Sequence, residues 1–224
     1  MKVLILDSGP LINLSMNGLL DILEKLKYGW QGKMIITDAV KYEVIDRPIG
    51  IQRFELGALR IKMLLENHIL ESPEILGASQ EEIKKVTAVL MDKANHSFKV
   101  ADTWVTLVSE AEMSCLALST LLAQKGHETL IAIDERTTRL LCEKPEALEK
   151  VMSERFHQKV SLVSSDIRQF KDYKFIRSSE LIYVAYTKKI LGLEGKKALE
   201  AALYAAKFKG AAISFEEIDT LKKM

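Results

Sequence analysis

The chain has 224 residues, of which 48% are hydrophobic, enough to bury a full core as one domain with an appended segment. No apolar run approaches the ~18 residues needed to span a bilayer, and no secretion signal is recognisable, so we expect no membrane contact. The two cysteines, Cys115 and Cys142, lie within apolar helical patterns. They predict reduced, buried thiols and a cytoplasmic protein.

The formal net charge of +1 conceals an uneven distribution along the chain. Residues 151–224 contain 14 Lys and Arg against 9 Asp and Glu, whereas residues 1–150 contain 18 against 22. An acidic first part suits a cation site, and a basic last part suits a polyanion. A solvated, lysine-rich surface is the alternative explanation of the basic part.

The first strand is predicted over residues 2–6, an apolar run that ends at Asp7. Such a run is typical of a buried strand in a parallel sheet, and Ser8-Gly9-Pro10 after it indicates a strand-to-helix turn. Asp7 then lies at the carboxyl end of the strand, where open α/β sheets bind ligands. A helix N-cap is the alternative role of Asp7. Apolar residues at helical spacing predict one core-facing helix from 11 to 26.

A second short strand is predicted over 34–37, followed by a helix over 39–46 that Asp38 is expected to cap. Glu43 falls in the first or second turn of this helix. It therefore lies at the same sheet edge as Asp7. The alternative is that Glu43 is simply an acid in a favourable position near a helix N-terminus.

The middle of the chain contains structural signals. Residues 50–66 predict an amphipathic helix, and Ser79 with Glu82 forms a capping box that opens another. Residues 98–108 form an apolar patch around Trp104 that predicts either core packing or a dimer contact.

A further helix is predicted over 109–124, and a buried strand over 129–133 that ends at Asp134. Glu112 lies in the first turn of that helix, where a capping box with Ser109 is the alternative explanation. In a parallel sheet the helices begin at the edge where the strands end. The strand ends and helix starts should therefore meet.

Four acids are thus expected to converge on one edge of the sheet, with Glu110 and Glu135 nearby: Asp7, Glu43, Glu112 and Asp134. Close carboxylates repel each other unless a cation neutralises them. Mg²⁺ and Mn²⁺ prefer oxygen ligands. The sequence therefore predicts a Mg²⁺ or Mn²⁺ site.

These acids stand in four ordered motifs, which are Leu6-Asp7-Ser8-Gly9-Pro10-Leu11-Ile12, Val40-Lys41-Tyr42-Glu43-Val44, Ser109-Glu110-Ala111-Glu112 with Leu116-Ala117, and Ile133-Asp134-Glu135-Arg136 with Arg139. Their order over residues 2–145 resembles that of the PIN-domain nucleases, above all the prokaryotic toxin branch. The helical patterns at 198–210 and 213–218 resemble the closing helices of the same branch.

The resemblance implies a three-layer α/β/α fold with a central, mostly parallel sheet. It implies a catalytic core over 1–145. Residues 146–224 are predicted to be a mostly helical C-terminal extension packed on this core, and residues 146–192 make it longer than the tail of the family. The implied activity is a Mg²⁺- or Mn²⁺-dependent endoribonuclease that hydrolyses single-stranded RNA. The metal ligands and catalytic residues would be Asp7, Glu43, Glu112 and Asp134, supported by Ser8, Glu110 and Glu135.

The implied biology is a toxin paired with an antitoxin protein, and we expect a homodimer. Two alternatives remain open at this point. One is a PIN-like module that binds RNA or protein without turnover. The other is a Mg²⁺ enzyme on a different α/β fold. The sequence contains neither the P-loop motif nor an Asp-x-Asp nucleophile that such an enzyme would use.

Overall fold

The computed structural model describes the backbone of residues 1–223 and all side chains in that range except Ser165, Asp166 and Arg168. Within it lie the seven strands β1 (Lys2–Leu6), β2 (Lys33–Ile35), β3 (Phe98–Val100), β4 (Thr103–Trp104), β5 (Glu128–Ala132), β6 (Val160–Leu162) and β7 (Phe175–Ile176). The central sheet is parallel in the order β2-β1-β5-β7. A small antiparallel sheet has the order β4-β3-β6.

The middle strand β1 is buried from Val3 to Leu6, as its continuous apolar sequence predicts. Leu6 is paired with Ala132 of β5, and the Asp7 backbone N–H donates to the Ala132 carbonyl at 3.0 Å. The two strands therefore end side by side. This register brings the residues that follow them to one edge.

Eleven α-helices surround the sheets in the described part of the chain: α1 (Ser8–Met16), α2 (Asp21–Gly29), α3 (Asp38–Lys41), α4 (Gln52–Glu66), α5 (Gln80–Asn95), α6 (Glu110–Gln124), α7 (Arg136–Glu143), α8 (Pro145–Phe156), α9 (Ser178–Thr187), α10 (Lys196–Phe208) and α11 (Phe215–Lys223). The predicted α/β class with a parallel sheet is confirmed. No helix in this range has both the length and the apolar character required to cross a bilayer.

Helix α6 is the central helix, packed against β1, β5 and α5. Residues from Ala111 to Ser119 are buried with the exception of Glu112, so the helix is covered on nearly all sides. A helix that is apolar all round is expected in the interior of a domain. Cys115 lies there as a buried free thiol, and Cys142 is likewise buried and unpaired.

The predicted single helix from 11 to 26 is wrong, because the chain forms α1 and α2 with a turn between them. Gly18 in that turn has φ +68°, a left-handed conformation that ends α1 and that glycine adopts without strain. The leucine spacing continues across the break, since both helices bury leucines in the same core.

The predicted helix over 39–46 is present in two parts, α3 and a π-helical turn at Tyr42–Asp46 that contains Glu43. Its cap is Thr37 instead of Asp38: the Thr37 hydroxyl accepts from the Val40 N–H at 3.3 Å and lies 2.6 Å from the Ser114 hydroxyl. The buried pair of hydroxyls joins α3 to α6. Single-turn π-helices are frequent at functional sites.

The predicted apolar patch at 98–108 is mostly part of the core. Phe98, Val105, Leu107 and Val108 are buried. Trp104 is 40% exposed, and it is covered in part by the His96 ring at 5.2 Å and by the Lys99 ammonium at 4.2 Å. Little apolar surface is therefore left there for a dimer contact.

The chain beyond residue 145 is interleaved with the part before it. β7 pairs with β5 in the central sheet, and β6 pairs with β3 in the small sheet. Arg177, which follows β7, is 8% exposed and forms ion pairs with Glu180 at 2.7 Å and Glu217 at 2.8 Å. It links the start of α9 to α11.

Candidate functional site

A cavity of about 270 Å³ lies at the carboxyl ends of β1 and β5. We call it the carboxylate cavity, and its lining residues are Asp7, Ser8, Gly9, Glu43, Ser109, Glu112, Asp134, Glu135 and Gly210. The structure thus brings together the four acids that the sequence singled out, although more than a hundred residues separate the first from the last. Glu110 is exposed at the start of α6 and is not part of the lining.

Asp7 both caps a helix and faces the cavity. Its Oδ2 accepts from the Gly9 N–H at 3.3 Å, so it is the N-cap of α1. Its Oδ1 is buried and has no hydrogen-bond partner, in a residue that is only 4% exposed. The N-cap role of Asp7 therefore occupies one oxygen and leaves the other without a partner, so it does not exclude a role in ligand binding.

Asp134 has the same division between its two oxygens. Oδ1 accepts from the Ser178 backbone N–H at 2.8 Å, whereas Oδ2 is buried without a partner. The residue is 5% exposed. Buried polar atoms are nearly always paired, so two unpaired carboxylate oxygens in one cavity require an explanation.

Gly9 allows Asp7 and Asp134 to approach each other. A Cβ atom at this position would lie 3.3 Å from the Asp134 Cβ and 3.6 Å from Asp7 Oδ2. A side chain at Gly9 would therefore crowd the wall between the two carboxylates.

Glu43 is held by Ser8, whose hydroxyl donates to Glu43 Oε2 at 2.6 Å. The contact connects the first turn of α1 to the π-helical turn, 35 residues away along the chain. Ser8 is 6% exposed, so the bond is shielded from competing water. A hydroxyl that donates to a carboxylate fixes the orientation of that carboxylate.

Glu112 accepts hydrogen bonds from two elements. It forms the predicted capping box with Ser109: Glu112 Oε2 accepts from the Ser109 N–H at 3.5 Å, and the Glu112 N–H donates to the Ser109 hydroxyl at 3.3 Å. Glu112 Oε2 also accepts from the Thr138 hydroxyl on α7. The capping role and the site role of Glu112 are again compatible.

Glu135 is the N-cap of α7 and accepts from the Arg136 N–H at 2.5 Å and the Thr137 N–H at 3.2 Å. Both of its oxygens therefore bind the backbone of its own helix. It lines the carboxylate cavity as a partly exposed residue at its edge.

Burial and mutual repulsion raise the proton affinity of the cluster. The pKa of Asp7 is raised to about 7, first by burial and then by the charges of Glu112 and Glu43. Burial also raises the pKa of Glu112, with Glu135 adding to the effect, and hydrogen bonds from Thr138 and Ser109 oppose it. The pKa of Asp134 is raised by burial, while Ser178 and two nearby arginines lower it.

The pKa of the buried Cys115 thiol is affected by the same acids. Burial raises the pKa of this thiol well above its usual range, and the charges of Asp7, Glu112 and Glu43 add to the shift. Three acids from three different elements therefore act on one buried group. Their negative potential is concentrated at the end of β1.

The donor set is suited to a hard divalent cation. It consists of carboxylates and two serine hydroxyls, the oxygen ligands that Mg²⁺ and Mn²⁺ prefer, and two carboxylate oxygens are unpaired. Among the side chains that the structure describes, however, no group of three acidic, histidine or cysteine residues is arranged so that it could hold one ion.

Sequence reasoning missed several residues that hold the acids. Ser178 supplies the N–H for Asp134, Thr138 binds Glu112, and Gly210 closes the cavity. Ser178 and Gly210 are distant in sequence, and no local pattern marks them. Thr138 had one available signal, because it lies one helical turn after Glu135 on the predicted helix.

Comparison of the chain with protein-family models, with curated proteins and with solved structures finds no match.

Proposed function

We propose that the chain is a divalent-metal-dependent ribonuclease of the PIN-domain type, which hydrolyses phosphodiester bonds in single-stranded RNA. Asp7, Glu43, Glu112 and Asp134 would hold Mg²⁺ or Mn²⁺. The observation that carries the proposal is the pair of buried, unpaired oxygens of Asp7 and Asp134 in a cavity lined by two further acids.

The location of the cavity supports an enzyme. Ligands of open parallel sheets bind at the carboxyl ends of the strands, and β1 and β5 end here side by side. Stability alone does not account for unpaired carboxylates, since an unsatisfied buried polar group costs about 1–3 kcal/mol or more. Strained or unsatisfied groups of this kind are concentrated at functional sites.

The protein's own residues would hold the carboxylates in position. The Gly9 and Ser178 N–H groups each bind one oxygen of an aspartate and leave the other oxygen buried without a partner, in residues that line the cavity. Ser8 and Thr138 orient the two glutamates. When bound, a divalent cation supplies Lewis-acid activation of water and neutralises charge that develops on the phosphate.

The choice of RNA and the PIN-type fold are supported by the ordered motifs over residues 2–145 and by the basic composition of residues 151–224. The same resemblance supports an antitoxin partner and a cytoplasmic protein. The RNA substrate, the PIN-type fold, the antitoxin partner and the cytoplasmic location depend mainly on the resemblance, whereas the metal site depends mainly on the geometry of the cavity.

The proposed homodimer would use a different surface from the one around Trp104. Neighbouring helices α1 and α4 expose large apolar side chains, including Met16, Phe54, Leu56 and Met63, at 46–63% of their surface. Large apolar side chains that are exposed on neighbouring helices are frequent at protein contact sites. Sedimentation of Leu56→Glu against the unmodified chain tests this surface.

Two measurements on the same variants test the proposal. The first is the shift in thermal unfolding midpoint on addition of Mn²⁺, which reports binding without activity. The second is cleavage of a labelled single-stranded RNA. We expect a rise in midpoint and cleavage for the unmodified chain, and loss of both for Asp7→Asn and Asp134→Asn.

The matched control is Asp38→Asn, because Asp38 is an exposed acid in the first turn of α3 outside the cavity lining. It should retain both responses. Cleavage that survives Asp7→Asn and a chelator would contradict the metal site. RNA binding without cleavage by the Mn²⁺-loaded chain would favour the binding module.

A further inference from the structure

A second cavity of about 520 Å³ lies next to the carboxylate cavity, between α7 and the connection from α10 to α11. In two segments of the chain, one residue lines the carboxylate cavity and the next residue lines the second cavity. Glu135 lines the carboxylate cavity and Arg136 the second one, and the same is true of Gly210 and Ala211. The two cavities are therefore immediate neighbours.

The charge of the second cavity is opposite to that of the first, and we call it the basic cavity. It is lined by four cationic side chains, Arg136, Arg139, Arg177 and Lys207, and by the two carboxylates of Glu143 and Glu217. A bound group would therefore meet an excess of positive charge. The carboxylate cavity contains no cationic residue in its lining.

Three of these cations are available to a ligand. Arg177 is neutralised, because Glu180 and Glu217 both bind its guanidinium group. Arg139 forms a long ion pair of 3.7 Å with Glu143. Lys207 lies 4.2 Å from the Phe215 ring centroid and donates to the Ile213 carbonyl, and among the described side chains neither it nor the exposed Arg136 has an ion-pair partner.

We propose that the basic cavity binds the phosphate of the nucleotide that neighbours the scissile bond in a single-stranded polynucleotide. Arg136, Arg139 and Lys207 are its contacts. This inference rests on the proposed function of the carboxylate cavity, since it names how the same substrate is held. The metal site and the basic cavity would then bind successive phosphates of one strand.

The chemistry of the cavity supports this ligand over other anions. Arginine binds phosphate oxygens with two parallel hydrogen bonds, and contacts to the backbone position a nucleic acid without reading its sequence. The volume is within the range of small-ligand sites, about 300–1,000 Å³. A concave site of this size accepts one nucleotide of a single strand, whereas a duplex presents its phosphates on a wide outer surface.

Binding is measured apart from cleavage. A short, fluorescently labelled oligouridylate is titrated with the Asp7→Asn chain in the presence of a chelator, and anisotropy is recorded at several salt concentrations. In this background we expect Arg139→Gln and Lys207→Gln each to weaken binding roughly five- to tenfold. Each should also reduce the slope of log K against log salt by about 0.7, the value for one phosphate contact of a single strand.

Three controls separate charge from folding. Arg155→Gln changes an exposed arginine that lines neither cavity and should leave binding unchanged. Lys207→Arg keeps the charge and should restore binding. Glu143→Gln frees Arg139 from its long ion pair and should strengthen binding about two- to threefold, an effect that damage to the fold does not produce.

The inference is overturned if Arg139→Gln and Lys207→Gln bind as tightly, and with the same salt slope, as Arg155→Gln. Equal affinity for a duplex of the same length would overturn the assignment to a single strand. The proposed function can fail separately. Loss of binding in these variants without any Mn²⁺ response in the unmodified chain would leave the basic cavity standing and remove the metal site.

Discussion

The two ends of the central sheet contain cavities of opposite character. At the carboxyl end, the carboxylate cavity of about 270 Å³ is lined by acids. At the amino end, a cavity of about 650 Å³ is lined by apolar side chains such as Leu4, Leu26 and Leu181, with four lysines at its rim: Lys2, Lys25, Lys174 and Lys188. The acids that we propose as metal ligands therefore line the smaller of the two cavities.

The difference lies in what each end leaves unpaired. Asp7 and Asp134 each have a buried carboxylate oxygen without a hydrogen-bond partner, and both residues line the carboxylate cavity. At the amino end, His127 Nδ1 is buried and unpaired just before β5, but among the described residues no such atom belongs to a residue that lines the amino-end cavity. The amino-end cavity is a groove between α2, α9 and the sheet, whereas unpaired buried carboxylate oxygens mark a place that stability does not explain.

Substitution at the carboxyl end should remove activity without loss of stability. Asp7→Asn keeps the shape and the helix cap but removes a metal ligand, so RNA cleavage should fall by more than about 100-fold, beyond the range for outer-shell changes. Single-turnover cleavage and urea unfolding measure the two effects. A stable variant that retains cleavage would break the contrast between the two ends.

The same end should make the metal-free protein sensitive to pH. The folded-state pKa of Asp7 is about 7 and its ordinary value is 3.8, so the folded chain holds a proton that the unfolded chain has lost. The stabilisation is fully present below pH 3.8 and is lost as pH rises through about 7. The loss from Asp7 alone is at most about 4 kcal/mol.

The raised pKa values of Glu112 and Asp134 act in the same direction. Unfolding in urea with a chelator, repeated across this pH range, measures the effect. Asp7→Asn should flatten the profile, and Mn²⁺ should reverse the loss at neutral pH. If the pH dependence of unfolding is the same in Asp7→Asn as in the unmodified chain, Asp7 is not its source.

Substitution at the amino end should have the opposite signature. Leu26→Ala removes a buried side chain next to a cavity that already exists, and we expect a loss of about 2–3 kcal/mol of unfolding free energy. Cleavage per folded molecule should not change, since no site residue lines this cavity. A parallel loss of cleavage at temperatures where the variant is folded would show that the two ends are coupled.

The smallest effect concerns a residue that only orients an acid. Thr138→Val removes the hydroxyl that donates to Glu112 and keeps the shape of the side chain, so cleavage should fall about 10- to 100-fold. Thr120→Val is the matched control, because that hydroxyl pairs with Tyr173 outside the cavity lining. Equal cleavage by both variants would remove Thr138 from the positioning of Glu112.

The parts of the fold that sequence predicts are those that a local pattern specifies. Strand β1 is a continuous apolar run from Val3 to Leu6 and β5 ends with one from Leu130 to Ala132, and capping boxes mark the starts of α5 and α6. The break between α1 and α2 was missed, because leucine spacing continues across the turn at Gly18. The spacing of the buried leucines does not show whether they belong to one helix or to two.

For the site, the sequence by itself determined which acids follow strands or begin helices, and parallel connectivity then implied that they share an edge. Only the tertiary structure decided what holds them. Ser178 reaches Asp134 across 44 residues, and Gly210 closes the cavity from the turn after α10. Contacts of this kind depend on how distant elements pack, so each residue's own sequence neighbourhood contains no record of its partner.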